Sequence, residues 1–171
     1  MEDMPAGMPA PLPGRTPADL ARHIAEAGIA AELVPMTVET PTVTAAAEAL
    51  GVDPAQIIKS LLFLVRDQPV LVIACGDEPV ERRSLAARFS VGKKQIRLAD
   101  AATVVRVTGY PAGGVPPVGQ ATPTLTLLDK RAAGWEVVYG GGGDDHTLLR
   151  ITPGELARAA QAEWIELAVR S

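Results

Sequence analysis

One cysteine in 171 residues, Cys75, leaves no partner for an intrachain disulfide. With only two histidines beside it, the ligand set of a structural zinc site is missing. Aromatic residues make up 4% of the chain, so a core has to be assembled from Ala, Val, Leu and Ile. No apolar run approaches the ~20 residues that cross a bilayer as a helix. The opening residues, MEDMPAGMPAPLPG, carry acids and prolines where a signal peptide has a basic start and an apolar stretch. The cytoplasm is therefore the expected location, with no membrane partner. Positive charge is not in excess either. The net charge of −4 restricts any nucleic-acid contact to a local patch. The nucleophile elbow G-x-S-x-G, the dinucleotide fingerprint and the P-loop spacing are all absent.

What remains is an ordinary soluble composition, 47% hydrophobic and 21% charged, in a length that suits one domain. Residues 1–15 read as a disordered tail rich in Met, Pro and Gly, and 16–171 as one folded unit. Local signals punctuate that unit. Thr16 and Pro17 start a helix that Gly28 ends, and AAELVPMTV reads as a strand. Thr42 or Thr44 caps a second helix stopped by Gly51, and Asp53–Pro54 opens a short turn of helix. KSLLFLV and VLVIACG are apolar on both faces, as buried strands are. A helix over EPVERRSLAARFS, a short strand QIRLA and a helix capped by Asp100 follow. TLTLLD, WEVVYG and TLLRI read as strands, and Thr152 with Glu155 spaces a capping box for the last helix. Alternating βα units mixed with consecutive strands predict a single α/β domain with a mixed, strongly curled sheet flanked by helices.

Several features could carry chemistry. Lys59 interrupts the apolar run QIIKSLLFLV, and either snorkels to water or meets an anion. The stretch TGYPAGGVPPVG, 108–119, packs four glycines and three prolines into twelve residues. It is either a stiff connector or a loop that turns backbone N–H groups toward a ligand. GGGGDDH, 140–146, is a second glycine-rich loop, and its His146 is either structural or a hydrogen-bonding and proton-transfer group. Cys75 reads as a small buried residue without the surroundings of a reactive thiol. The segment 82–97 carries Arg82, Arg83, Arg88, Lys93, Lys94 and Arg97 and no acid. It is either a solvated surface or a phosphate-contacting patch.

The ordered set AEALGVDPAQIIKSLLF, TGYPAGGVPPVG, a strand ending in Asp129, and GGGDDHTLLRITPGEL resembles the YbaK/aminoacyl-tRNA synthetase-associated domain family, the editing domains of the prolyl-tRNA synthetase type. The resemblance covers 16–168. It implies a single-domain mixed α/β fold with a barrel-like sheet, and hydrolysis of the ester joining a wrong amino acid to a tRNA. It implies a trans-acting deacylase, with tRNA for proline as first candidate and a synthetase as a candidate partner. No cofactor and no metal are expected. Lys59 falls on the family lysine that holds the terminal phosphate or the substrate. Gly113 to Pro117, with Gly114 between them, falls on the G-x-x-x-P loop that holds the aminoacyl group and its carbonyl, with Val115, Pro116 and Gly119 alongside. Asp129, Gly143 and His146 match further polar and loop positions, and Ser60 stands where some branches carry Asn. Water attack assisted by the substrate's own 2′-OH is the implied route. A binding module of the same fold without catalysis, or hydrolysis of another small acyl ester, are the alternatives.

Overall fold

The computed structural model describes residues 14–168. The expected tail 1–15 lies outside the described residues except for Gly14 and Arg15. Arg15 is tied down: its N–H donates to the Gly109 carbonyl at 2.7 Å and its guanidinium to the Gly119 carbonyl at 3.2 Å.

Among the described residues there are five α-helices and eight strands; all are expected from the sequence except the last strand, and the third helix starts four residues later than expected. Helix α1 (Pro17–Ala27) starts with Thr16 and Asp19 bonded reciprocally and ends on left-handed Gly28. Strand β1 (Ala31–Pro35) leads to α2 (Val43–Leu50), where the Thr42 hydroxyl accepts the Ala45 N–H and Gly51 closes the helix. Strands β2 (Ile58–Val65) and β3 (Gln68–Cys75) form a hairpin, followed by α3 (Arg82–Phe89) and β4 (Ile96–Leu98). Helix α4 (Ala101–Thr108) is capped by Asp100. Strands β5 (Leu125–Asp129), β6 (Val138–Gly141) and β7 (Thr147–Ile151), helix α5 (Pro153–Ala160) and β8 (Glu163–Ile165) complete the fold. The last capping box forms by half. Thr152 takes the Glu155 N–H, but the Glu155 carboxylate reaches across to the Ala30 N–H at 2.6 Å.

The strands make two sheets. One runs β4-β2-β3-β5-β8, antiparallel around β2 and parallel on the β5 side; the other runs β1-β7-β6, antiparallel throughout. Among the described residues one bridge, Ile57 to Tyr139, joins them. The sheet therefore stays open, and the barrel-like closure expected from the sequence is not reached. The two-sided burial of β2 and β3 is present. Ile58, Leu62, Leu71 and Ile73 face a core shared with α1, α4 and α5, while Phe63, Val65, Val70 and Val72 pack under α3. Val43, Ala46, Ile57 and Leu148 form a third, smaller cluster between α2 and β7. Among the described residues no helix is long and apolar enough to cross a membrane.

Candidate active site

Where the two sheets meet, a cleft of about 290 Å³ opens beside the start of β2. Its walls differ. Lys59, Ser60 and Leu61 at the start of β2, with Asp77 just past β3, supply one side. Gly113 and Val115 of the Pro/Gly stretch and Gly140 and Gly141 of β6 supply backbone on another. Val43, Ala46, Ile57 and Leu148 give an apolar end, with Thr40, Pro41 and Thr42 at the entry to α2.

The backbone wall exists because two glycine-rich segments lie against each other. An added Cβ at Gly141 would stand 2.4 Å from the Val115 carbonyl oxygen, closer than real atoms approach. One at Gly114 would meet the Asp144 backbone at 3.1 Å, and the Gly143 N–H donates to the Gly114 carbonyl at 2.9 Å. Gly143 itself, at φ 110, sits under Thr16 and Pro17. So Gly114, read from the sequence as part of the loop that holds the aminoacyl group, and Gly143, read as a matching loop position, let the two segments touch, and neither lines the cleft. Pro116, Pro117 and Gly119 also lie behind the lining: the Pro116 carbonyl accepts from the Gln120 amide, Pro117 packs on Gly140, and Gly119 lies under the His23 ring. Val115 is buried, and neither its N–H nor that of Gly113 finds an acceptor among the described residues. A buried donor is nearly always satisfied, so the Val115 N–H is available to a ligand, while Gly113 is exposed and its N–H is open to water or a ligand.

The side-chain wall rests on a buried acid. Asp129, 1% exposed at the end of β5, accepts the Cys75 N–H at 3.1 Å and the Arg131 N–H at 3.0 Å, and forks with the Arg131 guanidinium. Arg131 also donates to the Cys75 carbonyl at 3.0 Å. This carboxylate, one of the polar positions that the resemblance singles out, is thus enclosed and committed to holding the turn after β3. That turn in turn places Lys59, whose ammonium donates to the Glu78 carbonyl at 3.0 Å. Burial holds Lys59 below the usual lysine range, opposed by the charges of Asp77 and Glu78 and reinforced by Arg131.

His146 is outside the cleft. Its ring, half exposed, pairs with Asp145 at 2.7 Å, and its carbonyl accepts the Met36 N–H. The basic segment is also less free than its composition implies. Arg83 pairs with Glu81, Arg88 with Glu163, and Arg97 with Asp67, leaving Arg82, Lys93 and Lys94 without an ion partner among the described residues. The Cys75 thiol is 1% exposed and pushed up to about 12, by burial first and then by Asp129, which removes it as a nucleophile. No group of three or more His, Cys, Asp or Glu among the described residues is arranged to hold a metal ion. Sequence reasoning missed Asp77, whose only local signal is a position after the β3 run, and the α2 residues, whose spacing reads as ordinary core.

A model of the aminoacyl-tRNA editing domain family matches residues 37–159. The uncharacterized protein YwhH of Bacillus subtilis strain 168 is 30% identical over 74% of this chain and 80% of its own length. The proline–tRNA ligase of Desulforamulus reducens is 32% identical over 75% of this chain, which spans only 22% of that enzyme. Among solved structures, a candidate trans-editing enzyme for prolyl tRNA synthetase superposes with a TM-score of 0.82 at 29% identity, covering 88% of this chain and 95% of that one.

Proposed function

The chain belongs to the aminoacyl-tRNA editing domain family, and from that premise we propose that it is a trans-acting deacylase that hydrolyses the ester of a mischarged tRNA, tRNA for proline first among the candidates. One observation carries the reading: Lys59, Gly113 and Val115 line the same small cleft, and no acceptor among the described residues takes the N–H of Gly113 or of Val115. Lys59 holds the phosphate of the terminal nucleotide. The ester carbonyl oxygen lies against the Val115 wall, where the two N–H groups take the negative charge that builds as water adds to the carbonyl carbon. The bond from that carbon to the ribose oxygen then breaks, the ribose hydroxyl leaves with a proton, and free amino acid and tRNA are released. The substrate's neighbouring 2′-OH orients the water, so the protein acts chiefly by positioning. The apolar end formed by Val43, Ala46 and Leu148 accepts a small side chain. Small side chains are the ones that synthetase pockets separate poorly and that hydrolytic editing removes. Arg82, Lys93 and Lys94 meet the acceptor stem.

The test is single-turnover deacylation of a panel of charged tRNAs, with tRNA for proline carrying small non-cognate amino acids at its head. Hydrolysis above background that Lys59→Ala suppresses supports the reading. Salt-sensitive tRNA binding without turnover would replace it with a binding module. Turnover of a model ester with none of any tRNA would place the activity on other acyl esters.

A further inference from the structure

The charged side chains in the cleft lining are two. Among the described residues that line it, Lys59 is the one cation and Asp77 the one carboxylate. Lys59 lies at the start of β2 and Asp77 in the turn after β3 that takes the Lys59 ammonium, and almost everything in that turn is fixed. The Cys75 N–H and carbonyl are held by Asp129 and Arg131. Gly76 turns at φ 79 with its N–H on the Ile57 carbonyl at 2.9 Å. The Glu78 carboxylate folds back over Gly76, where an added Cβ would stand 2.7 Å from Oε2, and the Glu78 carbonyl takes the Lys59 ammonium. Asp77 is exposed on the cleft wall and makes no ion pair or side-chain hydrogen bond among the described residues.

Resting on the editing reading, we propose that Asp77 receives the α-ammonium of the esterified amino acid, so that the cleft selects esters carrying a free α-amine. The end of a charged tRNA brings one phosphodiester and one ammonium close together, and the cleft offers one cation and one anion. With the ester carbonyl on the Gly113–Val115 backbone, the α-carbon is one bond away. The ammonium it carries is repelled by Lys59 and drawn to Asp77. A carboxylate there also keeps the amine protonated, which withdraws electron density from the carbonyl and favours attack by water.

The experiment compares alanyl-tRNA with lactyl-tRNA, both on tRNA for proline. The lactyl ester has the same shape but a hydroxyl in place of the ammonium. The expected result is that the wild-type protein prefers the alanyl ester by about tenfold or more, the scale of a hydrogen bond to a charged group. Asp77→Asn slows alanyl-tRNA by a similar factor while leaving lactyl-tRNA nearly unchanged, so the preference collapses. An unchanged melting temperature for this isosteric surface variant keeps the comparison clean. If Asp77→Asn slows both esters equally, Asp77 acts only by supporting the charge of Lys59, and the proposal is overturned. Equal wild-type rates on the two esters overturn it as well. Failure of the wild-type protein to hydrolyse any charged tRNA is a different result: it removes the editing reading, and this inference with it.

Discussion

The cleft has one wall made of backbone and one made of side chains, and the two are stabilised in opposite ways. The backbone wall, Gly113–Val115 against Gly140 and Gly141, is held by the absence of atoms. It exists only because no Cβ separates the two segments. The side-chain wall, Lys59 and Asp77, is held by a buried charge, since Asp129 and Arg131 pin the turn that carries Asp77 and whose Glu78 carbonyl takes the Lys59 ammonium. A defect in the first wall should therefore damage structure and function together. A defect at the tip of the second should damage function alone, and a defect at its base should damage stability most.

The base gives the largest expected effect. Arg131→Ala leaves the Asp129 carboxylate, 1% exposed, without its countercharge. Breaking one partner of a buried pair costs about 3 kcal/mol, which lowers the thermal midpoint by roughly 10 °C. Removing both charges, as Asp129→Asn with Arg131→Gln, should cost less than the single change. A thermal melt that barely moves in Arg131→Ala would mean that the turn is held by something other than this pair.

The backbone wall comes next. Gly141→Ala places a methyl 2.4 Å from the Val115 carbonyl oxygen, so one segment must move. Overpacking of this kind costs about 1–3 kcal/mol, and deacylation should fall with it because Val115 shifts. Gly134→Ala is the control, since a Cβ there meets nothing within 4 Å. If Gly141→Ala loses activity at full stability, the wall is a contact surface for substrate more than a packed joint.

Lys59→Ala tests the tip of the other wall. Its ammonium is partly exposed and bonds a backbone carbonyl that water can serve, so the melt should stay close to wild type. Deacylation at subsaturating tRNA should drop about tenfold to a hundredfold, the range for a lost charge-assisted hydrogen bond. A matching loss of stability would blur the contrast between tip and base.

How much of this the sequence discloses follows the same division. Caps and breakers are local, so Thr16, Gly28, Thr42, Gly51, Asp100 and the two-sided apolar runs predict their elements to within a residue or two. The glycine-rich stretches announce themselves by composition, but their mutual contact is a distance of some thirty positions along the chain, and nothing in either stretch names the other. Hence Gly141, read as loop, ends β6, and Gly114, read as a substrate contact, is a packing contact. Asp129 is visible as a polar residue ending a strand, but whether it faces the cleft or the interior depends on Arg131 and on the register of β5 with β3. Asp77 and the α2 residues Val43 and Ala46 carry no signal of their own; they matter through where the sheets meet.

A residue that belongs to neither wall sets the baseline. Glu155 accepts from Nε and Nη2 of Arg158 and from the Ala30 N–H, and these bonds bring its carboxyl down to about 2 from near 4.5. A carboxyl depressed in the folded state adds stability above its unfolded value and loses it as pH falls through the folded one. The stability difference between wild type and Glu155→Gln should therefore be constant at neutral pH, shrink from about 4.5 downward, and vanish below about 2. Deacylation at neutral pH should be unchanged, because the bond ties α5 to the chain before β1 and touches neither wall. A deacylation defect in Glu155→Gln without unfolding would show that the cleft depends on elements beyond its two walls.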